Sequence, residues 1–89
     1  MFATFTDWSM DKPEEGVKTA EEIWPEMKAA GAINMRIVKT DDTGARSMTM
    51  WPDESTAMKA IDAMRAKGAA KSGSEVVGSA MGTVLAEMD

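Results

Sequence analysis

The chain has no cysteine, no histidine and no tyrosine among its 89 residues. Without cysteine there can be no disulfide and no cysteine-ligated zinc. Without histidine the commonest metal ligand is missing, as is the usual general base that activates a serine nucleophile. A basic surplus is lacking too. Ten Lys and Arg stand against fifteen Asp and Glu, a net charge of −5, and the basic residues are scattered. Phosphate backbones and anionic membranes repel such a surface, so neither nucleic acid nor membrane is expected as a partner. No apolar run approaches the ~20 residues of a membrane span. The first ten residues carry no basic segment and have Asp7 where a signal peptide would be apolar, so a cytoplasmic location is expected. There is no GxGxxG and no P-loop to cradle a phosphate. The acidic pairs Glu14–Glu15, Glu21–Glu22 and Asp41–Asp42 are adjacent rather than ligand-spaced on one face, and no metal site is expected from them.

What remains is ordinary for a soluble globular protein, 44% hydrophobic and 28% charged, with one oddity: ten methionines against two phenylalanines. Methionine is flexible and polarizable and fills irregular space. The plainer reading is a core that uses methionine where others use leucine or phenylalanine, and the alternative is the wall of an adaptable cavity. The length fits one domain, residues 1–89. A domain so small buries a modest fraction of its surface, and with disulfides excluded the remaining source of stability is self-association.

Hydrophobic spacing predicts six elements. Met1–Met10 alternates as a strand, with Phe2, Thr4, Thr6 and Trp8 on one side. Glu14–Ala30 reads as a helix with a stripe of Val17, Ala20, Ile23, Trp24 and Met27, kinked near Glu21–Trp24 by Pro25 and closed by Gly31. Ala32–Thr40 and Ala45–Trp51 alternate as strands around the turn 41–44, a hairpin. Pro52 ends the second strand, and Asp53 or Ser55 caps a helix that runs to about Lys67 with Ala57, Met58, Ile61 and Met64 inward. Residues 67–75 read as a connection, and Val76–Met88 as the last strand.

The order β-α-β-β-α-β is the ferredoxin-like pattern, an α+β fold with a four-stranded antiparallel sheet and two helices on one face. Two helices cover only that face. Yet the strands carry apolar residues on both sides, such as Ile37 beside Val38 and Met50 beside Trp51. A second copy of the chain is the economical cover, giving a homodimer whose two sheets form a barrel.

Two stretches, EEIWPEMKAAGAINMRIV (21–38) and MTMWPDESTAMKAIDAM (48–64), resemble the dimeric α+β barrel superfamily, and within it the antibiotic-biosynthesis-monooxygenase-like group. The match rests on Gly31, Arg36, Trp51, Asp53 and Ala57. The group includes cofactor-free quinol oxygenases, heme-degrading enzymes, isomerases and proteins without known activity. The resemblance implies that Trp51, at the strand end, faces a pocket; plain packing between helix and sheet is the other reading of the same residue. Heme-degrading relatives use a histidine on the second helix and an asparagine on the first strand. This chain has no histidine, and its first strand offers Thr6 and Asp7 instead, so no cofactor is expected. Cofactor-free oxygenation needs a base and an anion holder. Asp7 fills the first role if burial raises its pKa, and Arg36 or Arg46 the second. Asp7 and Arg36 are therefore the candidate catalytic residues, and Trp51, Trp8, Asn34 and Met48 the candidate ligand-binding residues. Each has a plainer reading as a packed or solvated side chain. The leading expectation is a small monooxygenase-like enzyme acting on an apolar aromatic molecule. The alternatives are a non-catalytic binding protein and a structural or auxiliary dimer.

Overall fold

The computed structural model describes residues Met1–Asp89. Strand β1 spans Phe2–Ser9, helix α1 Pro13–Ala29, strands β2 and β3 Asn34–Asp41 and Gly44–Trp51, helix α2 Glu54–Ser72, and strand β4 Glu75–Thr83. The strands lie in the order β2-β3-β1-β4, every neighbouring pair antiparallel. This is the ferredoxin-like arrangement expected from the element order.

Both helices begin and end where local chemistry directs. Pro13 occupies the first turn of α1, where a missing N–H costs nothing, and Glu14 and Glu15 follow it at the positive end of the helix dipole. At the other end, Gly31 N–H donates to Lys28 C=O and Ala32 N–H to Met27 C=O, a Schellman closure with Gly31 at φ +111°. A Cβ at Gly31 would come within 2.5 Å of the Thr56 Cγ2 methyl, so glycine is required there twice over. α1 stays helical through Pro25, and the kink expected there does not interrupt it. In α2, the Asp53 carboxylate accepts the Thr56 N–H at 2.8 Å, and Gly73, at φ +68°, closes the helix.

Three boundaries differ from those the sequence suggests. α2 continues five residues past Lys67, because Gly68 lies within the helix and the terminating glycine is Gly73. β4 ends at Thr83 rather than Met88, and Leu85 and Met88 beyond it are 96% and 89% exposed. β2 begins at Asn34: Ala32 still closes α1 through its N–H to Met27 C=O, and Ile33 leads into the strand with its N–H donating to Met50 C=O at 2.8 Å.

Register decides which side chains share a face. Phe2 pairs with Trp51, Thr4 with Thr49, Thr6 with Ser47 and Trp8 with Ala45. Residues directly opposite in an antiparallel pair point to the same side. This set faces the helices. Phe2 and Trp51 pack with Ile23 and Met27 of α1 and with Ala57, Ala60 and Ile61 of α2 in one buried cluster. Alanine at 57 and 60 lets α2 approach closely enough to enclose the Trp51 indole, which is 0% exposed. Met58, expected inward, is largely exposed. Only Met27 and Met50 of the ten methionines are buried, so methionine is not the main core filler.

The other face carries Ala3, Phe5 and Asp7 of β1, then Arg46, Met48 and Met50 of β3, Asn34, Arg36 and Val38 of β2, and Gly78, Ala80 and Gly82 of β4. No helix covers it. Between Asp7 and Trp8 the ladder to β4 slips by one residue, leaving Val77 as the extra residue of a bulge.

Candidate functional site

A cavity of about 60 Å³ lies between the sheet and the two helices, towards the Trp8 end of β1. Trp8, Ile23, Met35 and Ile37 supply apolar wall, and Met10 and Gly16 border it where α1 begins. A Cβ at Gly16 would approach the Met10 sulfur to 2.9 Å, so that glycine makes room for the methionine. Gly68 does the same for Trp8: a Cβ there would come within 3.1 Å of the indole ring. A methyl group at either position would push a wall inward. Three serines, Ser47, Ser72 and Ser74, add hydroxyls, and no charged side chain lines the space.

The hydroxyls are held in place. Trp8 Nε1 donates to Ser47 Oγ at 3.0 Å. Ser72 Oγ donates to the Gly68 carbonyl at 2.7 Å and contacts Ser74 Oγ at 2.5 Å. One water needs roughly 10–15 Å³ of such space, so this cavity has room for a small molecule but not for heme or a fused polycycle. The donor set agrees: histidine, cysteine and tyrosine, the main axial ligands of heme besides methionine, do not occur in the chain. Heme chemistry does not fit these residues.

The sheet separates the residues singled out from the sequence. Trp8 lines the cavity. Trp51 shares the helix face but is sealed in the core, where its Nε1 donates to Thr4 Oγ1 at 2.9 Å, and it does not border the cavity. Asp7, Arg36, Asn34 and Met48 all lie on the opposite face, Asn34 and Arg36 exposed on edge strand β2 and Met48 half-buried beside Phe5. The six residues therefore do not form one site.

Asp7 is fixed in a way that works against a base. Arg46 Nε and Nη2 donate to its two carboxylate oxygens at 2.7 and 3.1 Å. The hydrogen bonds from that guanidinium hold the Asp7 carboxyl below its ordinary value of 3.8, and the Asp7 carboxylate raises Arg46 in turn. Gly78 leaves space for the carboxylate, and the Arg46 guanidinium lies 5.7 Å from the centre of the Phe5 ring. A carboxyl with a depressed folded-state pKa contributes stability above its ordinary value and loses it as pH falls through the folded value. Asp7→Asn is thus expected to lower the urea midpoint slightly at pH 6, with the gap from wild type narrowing as the pH falls below the ordinary carboxyl value of 3.8. Urea titrations of both proteins at several pH values measure it; a gap independent of pH would place its origin outside the ion pair.

One charged residue of α2 points inward. Arg65 of α2 donates from Nε to Thr6 Oγ1 at 2.9 Å and from Nη2 to the Phe5 carbonyl at 3.1 Å, anchoring the helix to β1. Its signal was its place on the α2 stripe, four residues after Ile61 and eight after Ala57.

No family model and no curated protein matches the chain. Among solved structures, a dimeric ferredoxin-like protein from an uncultured marine organism is similar to it, with a TM-score of 0.70 and 15% identity, over 100% of this chain and 99% of that one. At that identity the likeness is one of fold.

Proposed function

We propose that the chain works as a homodimer, paired through the uncovered face of the sheet, and that each protomer holds a small neutral molecule in the cavity beneath its helices. The observation that carries the binding half is the lining: apolar walls and fixed hydroxyls, with no ionisable side chain among them. Such a space suits retention of an uncharged ligand. For the dimer, the support is the exposed apolar surface of the uncovered face, with Val38 57% exposed and Phe5 and Met48 half-buried, together with the dimeric state of the similar marine protein. An 89-residue domain gains much of its missing burial from such pairing.

Monooxygenase-like activity on the same ligand is the alternative that the resemblance of residues 21–38 and 48–64 brings. It asks for a base beside the substrate. Asp7 lies across the sheet from the cavity with its pKa depressed, so the geometry favours binding over catalysis. The test is a titration with toluene-sized compounds, following tryptophan emission in wild type and Trp8→Phe and oxygen consumption in parallel. A saturable change confined to the protein that retains Trp8, with no oxygen uptake, is expected. Turnover-linked uptake would return the catalytic reading, and no saturable change would remove the ligand from the account.

A further inference from the structure

Resting on that small-molecule reading, we infer that the cavity selects a neutral compound of about one ring bearing a single oxygen acceptor, a ketone or its like, and that Ser47 is the residue that recognises the oxygen. Hydrogen-bond accounting leads there. Each serine hydroxyl has one hydrogen to give and can accept as well. Ser72 gives its hydrogen to the Gly68 carbonyl, so the contact between Ser72 and Ser74 consumes the hydrogen of Ser74. Ser47 is different. Its oxygen accepts from Trp8 Nε1, which fixes the hydroxyl in position, and its own hydrogen has no acceptor within the protein. Thr19 carries the other spare hydroxyl at the cavity, but nothing in the protein fixes it, and it also borders the polar cleft beside α1.

The cavity therefore offers one fixed, unspent donor, beside the Ser72 and Ser74 hydroxyls whose hydrogens are already committed. A ligand oxygen that accepts from Ser47 meets that need. A carboxylate or ammonium would enter a space with no counter-charge, and the loss of hydration far exceeds what one neutral hydrogen bond returns. The flat indole of Trp8 beside Ile23, Met35 and Ile37 suits a ring, and the volume limits it to about one.

The experiment uses the full chain and ¹H–¹⁵N spectra, in which three tryptophans give three indole N–H signals. The Trp8 signal is assigned by its loss in Trp8→Phe. Wild type and Ser47→Ala are titrated with cyclohexanone, methylcyclohexane and cyclohexanecarboxylate. Cyclohexanone is expected to shift the Trp8 signal saturably in wild type and to bind about three- to tenfold more weakly to Ser47→Ala. Methylcyclohexane is expected to bind both proteins alike, and the carboxylate neither. If ketone and hydrocarbon weaken equally in Ser47→Ala, the serine only holds Trp8 and the inference fails. If the ketone binds Ser47→Ala as well as wild type, or the carboxylate binds as tightly, oxygen recognition by Ser47 is overturned while the cavity remains a binding site. If none of the three shifts Trp8, the small-molecule reading falls and this one with it.

Discussion

Trp51→Ala is expected to lose about 3–5 kcal/mol of stability, a large part of what a domain of this size possesses. The indole is fully enclosed by residues from both helices and β1, so its removal leaves a cavity that Ala57 and Ala60 are too short to fill. The Thr4 hydroxyl, itself buried, loses the donor that satisfies it. For a chain of this length the loss corresponds to a fall in melting temperature of about 15–30 °C. Trp51→Phe keeps most of the ring and removes the donor, and is expected to fall between the two. Thermal unfolding followed by circular dichroism measures all three. If Trp51 were chiefly a ligand wall, Trp51→Ala would melt within a few degrees of wild type and lose ligand affinity instead. In the fold described here the order is reversed: Trp51→Phe leaves the response of Trp8 to a cavity ligand in place.

Ala80→Arg is expected to split the proposed dimer. Ala80 lies opposite Phe5 on the uncovered face and is exposed in the protomer, so the protomer itself accommodates a longer side chain. Between two sheets packed about 10 Å apart there is no such room, and the two-fold relation brings a pair of new charges into the same interface. Juxtaposed like charges at an interface cost several kcal/mol, which raises the dimer dissociation constant by about 100-fold or more. Sedimentation at micromolar concentration is the measurement. Wild type should run near twice its 9.6 kDa and Ala80→Arg near 9.6 kDa. Its melting temperature should then lose the concentration dependence that dimerisation confers. A wild-type monomer would end the dimer proposal outright. An Ala80→Arg protein that remains a dimer would move the interface off this face.

The element order was legible because each strand alternates and each helix carries a stripe, and these periods survive without knowledge of the partners. The end of α2 was not. Gly68 reads as a breaker, yet it stands inside the helix where the Trp8 indole needs the absent methyl group, and only the contact reveals that. Likewise Leu85 and Val84 have strand character, but β1 runs out at Phe2, so β4 has little left to pair with after Thr83. For the candidate site, parity along β1 already placed Trp8 and Asp7 on opposite faces. What sequence did not supply was the register of β3 against β1. That register puts Trp51 with Phe2 in the core and Arg46 beside Asp7, where the guanidinium holds the carboxyl ionised. The cavity was illegible for a similar reason: its walls come from nearly every element, and it exists only where their small residues leave a gap.

The bulge at Val77 bears on how far assembly can proceed. An outer strand with a regular row of unpaired N–H and C=O groups is a template on which further chains can add without limit. β4 is an outer strand, and most of its residues are exposed. At Val77 the repeat of that row is broken and the strand twists away. An incoming strand can match the segment on one side of the bulge or the other, but not both. Growth by edge addition is thereby handicapped, and chains that meet face to face can close as a pair instead of propagating as a fibre.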